Sequence, residues 1–258
     1  MSKIQQAFQN KKAFIAFVTC GDPDLETSAR LVREIAAAGA DIIELGIPFS
    51  DPMAEGPVIQ AANARALRNG VTTDQIFAMV QELRMEVTIP LVFMTYANVV
   101  FSYGTERFLK NAVDSGIDGL ILPDVPFEEK EEFAPACRRA GIEFISMIAP
   151  TSQERIRMIA AKAEGFIYCV SSLGVTGERS HITTDLAAMM RLVREANPNV
   201  PCAIGFGIST PGQAAQMAKI ADGVIVGSAI VRMVGEQGRH CVMPVGAFVG
   251  QMRHAMMQ

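Results

Sequence analysis

Ala38-Gly39-Ala40-Asp41-Ile42-Ile43-Glu44-Leu45-Gly46 is the stretch on which the fold turns. Ahead of it, Leu31, Val32, Ile35 and Ala36 are spaced for one face of a helix. Gly39 suits the left-handed backbone that ends a helix, and the run from Ile42 to Leu45, broken only by Glu44, reads as a strand. Ser115-Gly116-Ile117-Asp118 and Ala140-Gly141-Ile142-Glu143 repeat the junction, each ahead of another strand-like run. Working outward, such runs lie at Phe14 to Val18, Ile42 to Leu45, Leu91 to Thr95, Leu120 to Leu122, Phe144 to Ile148, Phe166 to Val170, Cys202 to Phe206 and Val224 to Val226. They are continuous, not alternating, which is the pattern of parallel strands covered on both faces. Phe108, Leu109, Ala112 and Val113 predict a further crossover helix. Eight strand-and-helix repeats in 258 residues predict a (β/α)8 barrel, a TIM barrel of the α/β class, in preference to an open doubly wound sheet. No linker-like stretch divides the chain, so 1–258 reads as a single barrel domain.

Composition narrows the function. At 50% hydrophobic and 19% charged residues the chain is not disordered. Lys and Arg number 23 against 27 Asp and Glu, a net −4 that offers no basic excess to a nucleic acid. The N-terminal stretch lacks the apolar segment of a signal peptide and no apolar run reaches membrane-spanning length, so a cytoplasmic protein without membrane association is expected. The five cysteines (Cys20, Cys137, Cys169, Cys202, Cys241) are scattered, which predicts buried free thiols. With only His181, His240 and His254 besides, no metal site is expected.

Barrel enzymes place their chemistry at the C-terminal ends of the strands. Glu44 leaves an apolar strand there, where burial would raise its pKa into the range useful for acid and base work. An ion pair closing the core is the structural alternative. The Pro- and Gly-rich segment from Gly46 to Pro57 follows as a shaped loop carrying Asp51 and Glu55. Asp51 precedes a proline and is as well suited to fixing a turn. Asp124 stands at a strand end like Glu44, or else caps the next helix. Gly205-Phe206-Gly207-Ile208-Ser209 follows the seventh run and Gly227-Ser228 the eighth, where glycine backbone and a helix start favour a phosphate group. The third glycine of a dinucleotide fingerprint and the lysine of a Walker loop are lacking. Ser171 to His181 is long, polar and glycine-hinged, and reads as a lid or as a disordered connection. Tyr168 precedes it, and Phe17, Met94 and Ile121 occupy late strand positions. These four either line a pocket for a flat aromatic or pack the core.

Taken in order, Phe17-Val18-Thr19, Gly21-Asp22-Pro23, Glu44 through Pro52, Tyr96-Ala97-Asn98, Asp124-Val125-Pro126, Gly174-Val175-Thr176-Gly177, Gly205 through Ser209 and Val226 through Val231 resemble the alpha chain of tryptophan synthase. The resemblance runs from about residue 14 to 231. It implies retro-aldol cleavage of indole-3-glycerol phosphate to indole and D-glyceraldehyde 3-phosphate, with no cofactor in this chain. Glu44 matches the family's general acid and base, and Tyr168 its active-site tyrosine. Glu55 stands where the family usually has Asp, the carboxylate facing the indole N–H. Phe17, Met94 (more usually Leu), Ile121 and Thr176 match the indole pocket and lid, and Gly177, Gly207, Gly227 and Ser228 the phosphate site. The resemblance also implies a beta chain carrying pyridoxal phosphate in an alpha2beta2 complex, with Pro48, Asp51 and Asn98 as candidate contacts.

Overall fold

The computed structural model describes residues 1–170, 185–205 and 207–258. Eight parallel strands close into a barrel in sequence order: β1 Ala13–Thr19, β2 Ile42–Gly46, β3 Leu91–Met94, β4 Gly119–Ile121, β5 Glu143–Ile148, β6 Glu164–Val170, β7 Cys202–Gly205 and β8 Gly223–Val226. Helices α1 Lys3–Gln6, α2 Leu25–Ala37, α3 Pro57–Arg68, α4 Thr73–Leu83, α5 Ala97–Tyr103 and α6 Thr105–Ser115 accompany the first half. Helices α7 Ala134–Ala140, α8 Gln153–Ala161, α9 Leu186–Ala196, α10 Pro211–Ile220, α11 Ser228–Gln237 and α12 Val242–Met256 complete the ring. Gly116 and Gly141 end α6 and α7 with left-handed backbone at φ 93° and 80°, the role their junctions predict.

Side chains alternate between two apolar layers. Phe14, Ala16 and Val18 of β1 face the helices, whereas Ile15 and Phe17 point into the barrel, where they meet Ile42, Val92, Met94, Ile121, Phe166 and Tyr168. Ile4 and Phe8 close the N-terminal end. A Cβ on Gly119 would come within 2.9 Å of Ile4, and one on Gly223 within 2.9 Å of Phe8, so bare backbone at those two strand starts admits the plug. All five cysteines are buried and free. Among the described residues no helix is long and apolar enough to cross a membrane.

Two expectations are corrected. Val113 is exposed, because it lies five residues, or about 140° of helical rotation, beyond Phe108; the buried stripe of α6 is Phe108, Leu109, Ala112 and Ser115. Asp124 neither stands beside Glu44 nor caps the following helix. It is exposed, and both its carboxylate oxygens accept the Ala97 N–H that opens α5, at 3.1 and 3.0 Å. A short β4 ends three residues earlier, so the chain swings back toward α5 before Asp124 is reached.

Candidate active site

Parallel register sets the upper layer of the barrel. Phe17 of β1 lies beside Glu44 of β2, and Met94 of β3 lies between Gly46 and Ile121. Glycines at strand ends make room for the rings. A Cβ on Gly46 would stand 2.6 Å from the Phe17 ring, and one on Gly205 would stand 2.6 Å from the Tyr168 hydroxyl. Above this layer opens a tight cavity of about 30 Å³, lined by Phe17, Glu55, Met94, Tyr168, Gly207, Gly227 and Ser228, all anticipated from the sequence, and by Ile59, Ile208 and Ile225, which were not. Ile121 packs in the same inner cluster without lining the cavity. A larger depression of about 1010 Å³ lies at the opposite, N-terminal end, around Gln9, Lys11 and Arg194. It is open and remote from Glu44, and we assign the chemistry to the C-terminal cavity, where barrel strands deliver their functional side chains.

Glu44 is wholly buried, and neither carboxyl oxygen meets a hydrogen-bond partner among the described residues. No cation pairs with it there, so the core ion pair weighed from sequence does not form. Loss of hydration disfavours the charged form and pushes its pKa from the ordinary 4.5 to about 8. At neutral pH the group therefore carries a proton it can give. The carboxyl does not line the cavity, so exchange with a ligand requires its side chain to rotate upward.

Glu55 is built differently. It is buried, and its Oε2 accepts from Asn63 Nδ2 at 2.7 Å. Burial pushes its pKa up to about 7, while the Asn63 hydrogen bond favours the ionised form and opposes the rise. Its loop is pinned from several sides. Gln60 Nε2 donates to the Glu55 carbonyl at 2.8 Å, and the Ala54 N–H donates to the Tyr96 hydroxyl at 3.0 Å. Tyr96 in turn stacks on Phe49, with centroids 5.0 Å apart. Helix α3 starts immediately after, with Pro57 in its first turn, and turns Ile59, Ala62, Asn63 and Ala66 inward. Arg65 anchors that helix to the segment after β1 through two 2.7 Å bonds to the buried Asp22 carboxylate. Asn63 and Arg65 had a legible signal: polar side chains on or beside an apolar helical stripe.

Tyr168 is buried, and burial first, then the charges of Glu44 and Glu55, raises its pKa well above the ordinary tyrosine value. Its hydroxyl therefore keeps its proton and serves as a donor. Across the cavity, α11 begins at Ser228 with Gly227 giving no side-chain cap. The first-turn N–H groups of Ser228, Ala229 and Ile230 thus lack an intrahelical acceptor. The neighbouring α10 contrasts with it, since its start is closed by a Thr210–Gln213 capping box. The uncapped turn, with the positive end of the helix dipole, suits a phosphate.

Thr176 and Gly177 lie outside the described residues, as does the whole stretch read as a lid. Of the expected partner contacts, Asp51 and Asn98 are exposed, whereas Pro48 is buried within the chain. Asp51 also holds a local turn, its carbonyl accepting the Met53 N–H at 2.9 Å.

Comparison with known proteins bears on the family and on the fold. A family profile described as tryptophan synthase alpha chain matches residues 3–257. The alpha chain of Lacticaseibacillus casei is 48% identical over 256 residues, covering 99% of this chain and 96% of that relative. The alpha chain of Lactiplantibacillus plantarum is 51% identical over 235 residues, covering 91% and 89%. Among solved structures, tryptophan synthase subunit alpha from Legionella pneumophila superposes with a TM-score of 0.87 at 35% identity, covering 100% of this chain and 99% of that one. A chain of the tryptophan synthase complex from Pyrococcus furiosus gives 0.85 at 34% identity, covering 94% and 98%. By a match along nearly its whole length in sequence and in structure, this chain belongs to the tryptophan synthase alpha chain family.

Proposed function

We propose that Glu44, Glu55 and Tyr168 perform in this chain the family's reaction, the carbon–carbon lyase step that splits indole-3-glycerol phosphate into indole and D-glyceraldehyde 3-phosphate. The observation that carries the assignment of roles is a pair of buried carboxyls with different surroundings, one unpartnered and one held by an amide, beneath a cavity whose far wall is an uncapped helix start.

Protonated Glu44 delivers its proton to indole C3, and the ring becomes a cation with its charge shared by the indole nitrogen. Ionised Glu55 accepts the indole N–H in a charge-assisted hydrogen bond that strengthens as this charge develops. The Glu44 carboxylate then takes the proton from the hydroxyl on the side-chain carbon attached to C3. The C3–carbon bond breaks, its electron pair returns to the ring, and the hydroxyl carbon becomes the aldehyde. Glu44 ends protonated, as it began. Tyr168 keeps its proton and offers its hydroxyl as a hydrogen-bond donor to the substrate in the cavity it lines. Phe17 and Met94 make the apolar walls for the ring with Ile121 packed behind them, and Gly207, Gly227 and Ser228 hold the phosphate, with Thr176 and Gly177 assigned to the same two subsites by the family resemblance alone. One methylene more than the family's Asp sets the Glu55 backbone back, and the Asn63 bond fixes the longer arm.

The chain acts as one cytoplasmic catalytic domain, 1–258, without a cofactor of its own. The Pyrococcus furiosus neighbour is part of a tryptophan synthase complex, which supports pairing with a beta chain carrying pyridoxal phosphate in an alpha2beta2 assembly. Exposed Asp51 and Asn98 suit contact with that chain, and buried Pro48 shapes the loop behind them. The test is indole release from indole-3-glycerol phosphate by the purified chain, with and without beta chain. Glu44→Gln lowers turnover at least about a hundredfold while ligand binding persists. Near-normal turnover in that variant overturns the assignment.

A further inference from the structure

A second cavity, of about 310 Å³, lies outside the barrel between the strand ends of β4 and β5, the 3-10 turn Phe127–Glu132, and α8. Its walls are apolar, with Pro123, Pro126, Phe127, Phe144 and Ile159 among them. Its polar lining comprises Lys130 and Ser146, both buried, together with exposed Thr151 and the ion-paired Arg155. The Lys130 ammonium donates to Ser146 Oγ at 3.2 Å and to the Lys162 carbonyl at 2.9 Å. An ammonium has three N–H donors; the group also stands over the Phe144 ring, 5.9 Å from its centroid, and the third N–H meets no nitrogen or oxygen acceptor among the described residues. Ser146 accepts from the lysine, so its own proton is free for another acceptor. Glu131 and Glu164 act on the ammonium only from beyond ion-pair distance. Arg155 and Glu128 tie the two walls together through bonds of 2.6 and 2.9 Å and satisfy each other's charge.

A buried charge without a counterion is costly, and a partly open cleft lies directly beside this one. Lys130 as a plain strut would explain its bond to the Lys162 carbonyl but not the empty space beside it. Two donors and one positive charge meeting at the end of a hydrophobic chamber complement a single anion on a flat apolar body. One carboxylate oxygen can accept from each donor. The volume is at the small end of ligand sites, enough for a one-ring molecule. We propose that this chain has a second ligand site, separate from the barrel mouth, that binds a small aromatic monocarboxylate through Lys130 and Ser146.

The probe is benzoate, titrated calorimetrically into the full-length chain, with benzamide as the uncharged isostere and inorganic phosphate as the anion without a ring. Benzoate is expected to bind saturably, and both controls at least about tenfold more weakly. Lys130→Met and Ser146→Ala should each weaken benzoate at least about tenfold and leave indole formation unchanged. Absence of saturable benzoate binding to the wild-type chain overturns the proposal. So does equal binding of benzamide, or benzoate affinity undiminished in the variants, which would place the ligand in the barrel mouth. Should Lys130→Met fail to fold, Ser146→Ala, which retains the ammonium, decides the matter.

Discussion

Replacing Glu44 with glutamine separates the chemical use of this carboxyl from its cost to the fold. In the folded chain its pKa is about 8 against an ordinary 4.5, so between those values the native state holds a proton that the unfolded chain has released. Stability from this group is therefore complete below about pH 4.5 and is lost as pH rises toward 8. Integrating the two titrations from about pH 5 to about pH 8 gives a loss of roughly 3 to 4 kcal/mol. Glutamine is a close stand-in for the protonated acid and cannot ionise, so Glu44→Gln should match the wild type near pH 5 and exceed it near pH 8. For a chain of this size the gain corresponds to a rise in Tm on the order of 8 °C. Thermal and urea unfolding of both proteins at the two pH values measures it, with equal m-values confirming that the denatured states are comparable. Parallel stability curves across that range would mean that Glu44 ionises in the fold at its ordinary pKa, and the argument for a buried proton donor would fail. Activity should move the opposite way, as expected where a strained functional group costs stability.

The same two carboxyls set the pH dependence of catalysis. Glu55 must be ionised and Glu44 protonated, so kcat/KM should rise through about pH 7 and fall through about pH 8; a flat profile from pH 6 to 9 would contradict the roles. Asn63→Ala removes the bond that favours ionised Glu55, so the acid limb should shift to higher pH while the alkaline limb stays in place. An unchanged acid limb would show that the amide only packs. Gly205→Ala puts a methyl 2.6 Å from the Tyr168 hydroxyl and should reduce indole formation at least about tenfold in a folded chain, with circular dichroism as the control. Ser228→Pro keeps helical backbone but deletes one first-turn N–H, and should raise KM for the phosphorylated substrate more than it lowers kcat.

What could be read from the sequence follows from the distance over which each feature is determined. Continuous apolar runs and helix-ending glycines are local, and they place the barrel and set Phe17, Glu44, Met94, Ile121 and Tyr168 late in its strands, whereas the inward parity of these side chains comes from the closed register. Val113 was misread because a hydrophobic side chain at the edge of a helical stripe looks the same whether a neighbour covers it or not. Asp124 was misread because its partner, the Ala97 N–H, belongs to a helix 27 residues earlier. The inward face of α3 depends on that helix folding back over the barrel mouth, so Ile59 becomes a cavity wall only in three dimensions, and the polar break that Asn63 makes in the apolar stripe finds its reason, the Glu55 carboxylate, only there. Glu44 shows the limit most clearly. Its place at the end of an apolar strand is legible, yet its proton affinity comes from burial with no hydrogen-bond partner among the described residues. A missing partner is a property of the assembled packing, since among the described residues the cations that could neutralise a carboxylate are directed to other groups. Arg65 is the instructive case: it belongs to the helix over the mouth, and Asp22 holds its guanidinium in two hydrogen bonds. A cation released from that grip and able to reach Glu44 would lower the very pKa on which the proton transfer depends.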